Sequence, residues 1–278
     1  MKTGVQSEMK CHTEGCNVQP SWFRTRLMKQ SGYVIESQWH CSDACLRKAI
    51  LARLKQRRQS RDMALQGLLR LKLGHILLDQ GVISREQLET AIATQREERS
   101  GERLGSILKT LEFVKERDVT TALSRQYGLP VVNLTNQRIS QAVVKMVPPE
   151  IVRQSKFFPL EYDNYNNSLV VVTCDPGDVS QMINLRSILE CDVTLYLSDE
   201  SIVRGLQDEF CRLASEEKVS EEALVTKVAD DLSEMADFIV RKAKALGATS
   251  LSMRYFNDLL WARFTAKRKK HDVILNAA

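Results

Sequence analysis

Lys72-Leu73-Gly74-His75-Ile76-Leu77-Leu78 and, 31 positions later, Arg103-Leu104-Gly105-Ser106-Ile107-Leu108-Lys109 decide how this chain folds. The same offset lays Val82-Ile83 on Phe113-Val114, Leu88 on Val119, Ala91-Ile92 on Ala122-Leu123, and Gln95 on Gln126. So many coincidences at one spacing define a tandem repeat, each copy reading as a short helix, a turn and a second helix. Ser84 and Gln87 stand three residues apart at the start of the second helix of copy one, the spacing of a capping box. The apolar positions give each hairpin a face to pack on the other.

After Tyr127-Gly128-Leu129-Pro130, a Gly/Pro boundary, the pattern changes to alternating strands and helices. Leu169–Thr173 reads as a β-branched strand, Val179–Leu189 as a helix, Val193–Leu197 as a strand and Ser201–Phe210 as a helix. The polar stretch Ala214–Glu222 reads as a linker. A helix over Ala223–Leu246 stops at Gly247, and strands follow at Ser250–Phe256 and Leu259–Thr265. The basic run Lys267–His271 reads as a solvated tail. Upstream of the repeat, Leu46, Ile50, Leu51 and Leu54 form a stripe among Lys48, Arg53, Lys55, Arg57 and Arg58, a basic connecting helix.

With 43% hydrophobic and 27% charged residues, the 278-residue chain has the composition of a folded globular protein of two or three small domains. Its 40 Lys+Arg against 35 Asp+Glu leave too small an excess to demand an anionic partner. No apolar run is long enough to cross a bilayer, and Met1–Lys10 lacks a signal-peptide core, so the chain is expected in the cytoplasm without membrane insertion. In that reducing setting Cys11-x4-Cys16 and Cys41-x3-Cys45 are expected to hold a structural zinc ion as four thiolates, leaving no open position for catalysis. His12 and His40 adjoin these ligands and read as bystanders, while Cys174, Cys191 and Cys211 read as small buried apolar residues. The second cysteine pair opens a helix, which resembles treble-clef fingers; the four residues between Cys11 and Cys16 replace the usual two.

The repeat, with Tyr127–Pro130, the Leu169–Thr173 strand and the Asp175-Pro176 turn, resembles the MshEN-type cyclic-di-GMP-binding domain of type II secretion and type IV pilus assembly ATPases, over roughly Leu68 to Phe210. The resemblance implies ligand contacts from Lys72, Leu73, Gly74, Leu77, Gly81 and Gln95 in copy one and from Arg103, Leu104, Gly105, Leu108 and Gln126 in copy two. Chemically, basic groups suit phosphate or guanine O6 and N7, glycines admit a close backbone approach, and glutamines both donate and accept. Two similar half-sites match a twofold-symmetric dianion. Two positions depart from the family: Lys72 replaces an arginine, and Glu112 stands where copy one has Gly81. The residues around Phe238–Phe264 resemble the opening of the next domain of those ATPases. No Gly-x4-Gly-Lys-Ser/Thr loop occurs, and the four histidines fall in no catalytic motif, so no enzymatic activity is expected.

The expected fold class is therefore α+β: a zinc module at 1–49, a basic connecting helix at 50–67, a tandem helical-hairpin repeat at 68–135, a small α/β layer at 136–213, and a C-terminal α/β segment at 223–278. The expected function is a cyclic-di-GMP-responsive regulator or adaptor linked to pilus or secretion machinery. The alternatives are a zinc-dependent nucleic-acid-binding regulator and a ligand-free structural adaptor.

Overall fold

The computed structural model describes residues 10–19, 32–60, 72–99, 101–134, 139–216, 224–226 and 231–276. It is an α+β protein whose contacts divide it into two compact units, 67–219 and the combination of 1–66 with 220–278. Among the described residues the first elements are two short antiparallel strands, β1 (Tyr33–Ile35) and β2 (Gln38–His40), and a helix, α1 (Asp43–Ser60).

In the unit 67–219, the repeat forms α2 (Leu73–Asp79), α3 (Arg85–Glu97), α4 (Leu104–Thr110) and α5 (Glu116–Tyr127). The starts of α2 and α4, and of α3 and α5, keep the sequence offset. Ser84 and Gln87 make the expected capping box. The copies do not simply lay one hairpin on the other: the first helix of each copy packs most extensively on the second helix of the other. Leu77, Ala91, Ile107, Leu108 and Ala122 are fully buried between them. Gly81 and Glu112 end the first helices with φ of +67° and +57°. Gly128, also left-handed, caps α5.

Two short helices, α6 (Gln141–Met146) and α7 (Pro149–Gln154), lead into β3 (Phe157–Asp163), which pairs antiparallel with β4 (Ser168–Thr173). Helix α8 (Val179–Leu189) crosses to β5 (Asp192–Leu197), parallel to β4, and α9 (Glu200–Glu216) packs back on the sheet. Phe210 of α9 meets Phe158 edge to face at 5.9 Å. Helix α9 runs six residues beyond the expected Phe210, into the stretch read as a linker. Residues 217–223 lie outside the described ones.

The other unit joins segments that the sequence reading kept apart. Strands β6 (Leu224–Thr226), β7 (Ser250–Phe256), β8 (Leu259–Ala266) and β9 (Lys269–Asn276) share one sheet with β1 and β2, in the order β2-β1-β7-β8-β9-β6, and helix α10 (Leu232–Leu246) packs on α1 and β8. Strand β1 runs parallel to β7, pairing Val34 with Ser250 and Ile35 with Leu251. A single core holds Ile35, Leu46, Ile50 and Leu54 with Ile239, Leu251, Leu260, Phe264 and Leu275. Three expectations change as a result. Helix α1 is a core element rather than a connector, because its apolar stripe faces α10 and the sheet. The C-terminal helix starts at Leu232, capped by Asp231, and Leu224–Thr226 is a strand on β9. Lys267 and Arg268 are not a tail but the left-handed turn between β8 and β9. Among the described residues no helix is long and apolar enough to cross a membrane.

Candidate functional site

The sequence pointed to two sites, one in each unit. Cys11 and Cys16 flank a knuckle in which the Cys16 amide donates to the Thr13 carbonyl at 3.0 Å and Gly15 takes φ of +77°. Cys41 follows β2, and Cys45 sits in the first turn of α1. All four ligand atoms lie within 4.8 Å of one another, and the Sγ of Cys41 is 3.6 Å from those of Cys16 and Cys45. Sulfurs about 2.3 Å from a tetrahedral zinc stand about 3.8 Å apart, so the arrangement fits that ion. Without a cation the thiols titrate unevenly. Burial raises Cys11, but hydrogen bonds from Thr13 and neighbouring groups bring it down to about 6. Burial and the adjoining thiols push Cys41 up to about 12. His40 is turned away: its Nδ1 is 2.8 Å from the Thr13 hydroxyl, and burial, with Arg53 and His12 adding, lowers its pKa.

Two cations of α1, Arg47 and Arg53, have partners. Arg47 pairs with Asp237 and donates to the Ser233 hydroxyl at 2.6 Å, while Arg53 lies 3.7 Å from Glu36. Side chains beyond Lys55, including Arg57 and Arg58, lie outside the described ones.

In the repeat, Lys72 and Arg103 are equivalent N-caps of α2 and α4. Gly74 and Gly105 are buried where the copies touch. A Cβ on Gly74 would stand 2.6 Å from Leu88 Cδ1 and 3.2 Å from Leu104 Cδ2; one on Gly105, 3.1 Å from Val119 Cγ1 and 3.2 Å from Leu73 Cδ2. These contacts correspond under the repeat offset, so the glycines serve helix packing first. Leu77 and Leu108 are fully buried, their leucine spacing being that of a core stripe, and offer no surface to a ligand. Leu73 and Leu104 pack half-buried against that core. Gly81 is exposed at its turn, and Gln126 is half-buried in α5. Gln95 donates its amide to the Glu102 carbonyl at 2.7 Å, bracing the residue before Arg103.

A shallow cleft, open to solvent, lies where copy two, with Leu73 of copy one, meets the α/β half. Of the residues singled out in the sequence it brings together Leu73, Arg103 and Gly105; Lys72, Gly74, Leu77, Gly81, Gln95, Leu104, Leu108 and Gln126 are not in its wall. Leu73, Val119 and Leu123 make it apolar on one side. At one end the nearly buried Asp175 carboxylate is shared by Arg103 and Lys156, the latter at 3.4 Å. At the other end Lys109 sits between Glu200 at 2.8 Å and Glu116 at 3.8 Å. The Lys109 hydrogen bond holds Glu200 below the usual carboxylate range despite its partial burial. Glu116 also accepts from the Ser201 amide at 3.1 Å and from its hydroxyl at 2.5 Å. The wall therefore carries one cluster with two cations on one carboxylate and another with one cation between two carboxylates. Burial pushes Cys174, in the wall, up to about 11.

Lys156, Asp175, Lys109 and Glu200 were not legible as site residues. Asp175 showed only as part of a turn, and Lys156 is a single charge before an apolar strand. One signal existed in the repeat itself. Copy two has Lys109, Glu116 and Thr120 where copy one has Leu78, Arg85 and Glu89, and these three reach α9 or the residue before it.

The MshEN domain matches residues 127–217, about a third of the chain. The type IV pilus assembly ATPase PilB of Myxococcus xanthus is 28% identical over 161 residues, 58% of this chain and 27% of that protein. PilB of Thermus thermophilus is 25% identical over 130 residues, 47% of this chain and 14% of that protein. The chain thus spans about a quarter or less of the length of these curated relatives. Among solved structures, MshE with cdg is 25% identical, covering 51% of this chain and 99% of that one, with a TM-score of 0.45. The N-terminal domain of XpsE is 20% identical, covering 49% and 91%, with a TM-score of 0.41.

Proposed function

We propose that the unit 67–219 binds cyclic-di-GMP and that the chain is a non-enzymatic regulator or adaptor answering to this ligand, working with pilus or secretion machinery. The observation that carries the reading is the cleft at the repeat, where Arg103 and Lys156 share the carboxylate of Asp175 beside the apolar side chains of Leu73, Val119 and Leu123. Solvent-facing cations beside an apolar wall suit an anionic ligand with flat bases. The match of residues 127–217 to the MshEN domain supports the same reading. The remaining candidate contacts of the repeat, Leu73, Leu104, Gln95 and Gln126 among them, belong to this proposal. Zinc held by Cys11, Cys16, Cys41 and Cys45 is proposed as a structural ion that ties the N-terminal knuckle to β2 and α1.

Calorimetric titration with cyclic-di-GMP, with cyclic-di-AMP as the control, tests the reading. Saturable heat with the guanine ligand and much less with the adenine one is expected. Absence of heat at high micromolar concentration sinks the sensing role and leaves a ligand-free adaptor.

A further inference from the structure

We infer that the second phosphate-facing cation of the site is Lys156 of the α/β half and not Lys72 of copy one, so that the ligand bridges copy two and the α/β half. The inference rests on the cyclic-di-GMP reading above and deepens it. Lys156 and Arg103 are the two cations in contact with Asp175, and each side chain is 57% exposed on the cleft. Asp175 itself is 7% exposed. Two cations on one carboxylate leave a net positive charge, and each cation keeps donors free for an incoming phosphodiester. Lys109, the remaining basic residue of the wall, lies between two carboxylates and is not such a partner. Lys72 is exposed and outside the wall.

Lys156 is also held in place, as a ligand contact requires. Its carbonyl accepts from the Thr173 hydroxyl at 2.8 Å and the Cys174 amide at 3.2 Å. The buried Gln207 amide, on α9, donates to the carbonyls on both sides of it, Ser155 and Phe157, each at 2.9 Å. The backbone of Lys156 is thereby fixed to both β4 and α9, and only its side chain is left to move. A Cβ on Gly177 would stand 2.9 Å from the Arg103 guanidinium, which would have to shift. Glycine at this position leaves Arg103 its place beside Asp175.

Titrating cyclic-di-GMP into the full chain and into Lys156→Ala, Lys156→Arg and Lys72→Ala separates the assignments. Losing a charge-assisted phosphate contact weakens binding by about tenfold to a hundredfold. That loss is expected for Lys156→Ala, with Lys156→Arg restoring most of the affinity and Lys72→Ala staying within about threefold. An unchanged melting curve of ligand-free Lys156→Ala shows that the loss is not one of folding; if that variant melts early, Lys156→Gln repeats the measurement with the stem kept. Wild-type affinity in Lys156→Ala, or a larger loss in Lys72→Ala, overturns the inference and leaves the cyclic-di-GMP reading standing. A wild-type chain that gives no heat overturns both.

Discussion

Replacing Glu112 with glycine should stabilise the unit 67–219, although it removes a side chain and adds no contact. Glu112 holds φ of +57° at the turn where copy one places Gly81 at +67°. A side chain in left-handed backbone costs roughly 1–2 kcal/mol. Glycine returns about 0.5–1 kcal/mol of this through the greater freedom of the unfolded chain. The balance is about 0.5–1 kcal/mol in favour of Glu112→Gly. For a unit of about 150 residues this raises the melting temperature by roughly 1–4 °C. Gly81→Ala is the mirror experiment, since no atom lies within 4 Å of the added Cβ and the effect is one of backbone alone. It should lose a similar amount. Urea and thermal unfolding followed by circular dichroism measure both. Trp22, Trp39 and Trp261 all fall outside residues 67–219, so their fluorescence transition should stay where it is. A destabilised Glu112→Gly, or a Gly81→Ala as stable as wild type, would refute the left-handed reading of these turns.

Other predictions follow from packing, metal and charge. Gly74→Ala should destabilise the repeat by about 1–3 kcal/mol, because the new methyl meets Leu88 and Leu104 across a close helix contact; an unchanged urea midpoint would show that the copies separate easily. Elemental analysis should find about one zinc per chain and little in Cys41→Ser, whose β1 and β7 amides should exchange faster with solvent, since the cysteine-bearing segment supplies that edge of the sheet. Full metal content in Cys41→Ser would exclude the four-thiolate site. Glu200 is depressed in the folded chain by Lys109, so its contribution is present above the ordinary carboxylate value and is lost as pH falls through the folded one. Stability of the unit 67–219 should therefore fall between about pH 5 and pH 3, and Lys109→Met should lessen that fall; an equal slope in both proteins would mean that the pair contributes nothing.

Much of the fold was written locally. The repeat needed only an offset, because helical periodicity and capping are properties of neighbouring residues, and Ser84 with Gln87 makes the box that their spacing announced. The bounds of α8 came out as read, from Val179 to Leu189. The four cysteines were legible as a set, since thiols in two close pairs across a loop match the ligand spacing of a tetrahedral zinc site. What the sequence could not carry was partnership between distant segments. Ile35 and Leu251 are more than two hundred positions apart, and nothing in either stretch says that β1 lies along β7. Helix α1 looked like a charged connector because its basic residues outnumber its apolar stripe, yet Leu46, Ile50 and Leu54 are nearly or fully buried and Arg47 and Arg53 meet carboxylates elsewhere in the chain. The cleft shows the same division. Arg103 was marked by its place in the repeat, whereas Asp175 and Lys156 meet it only because the α/β half folds against copy two; a lone lysine or aspartate carries no periodic signal, and its role comes from the charge that the tertiary fold sets beside it.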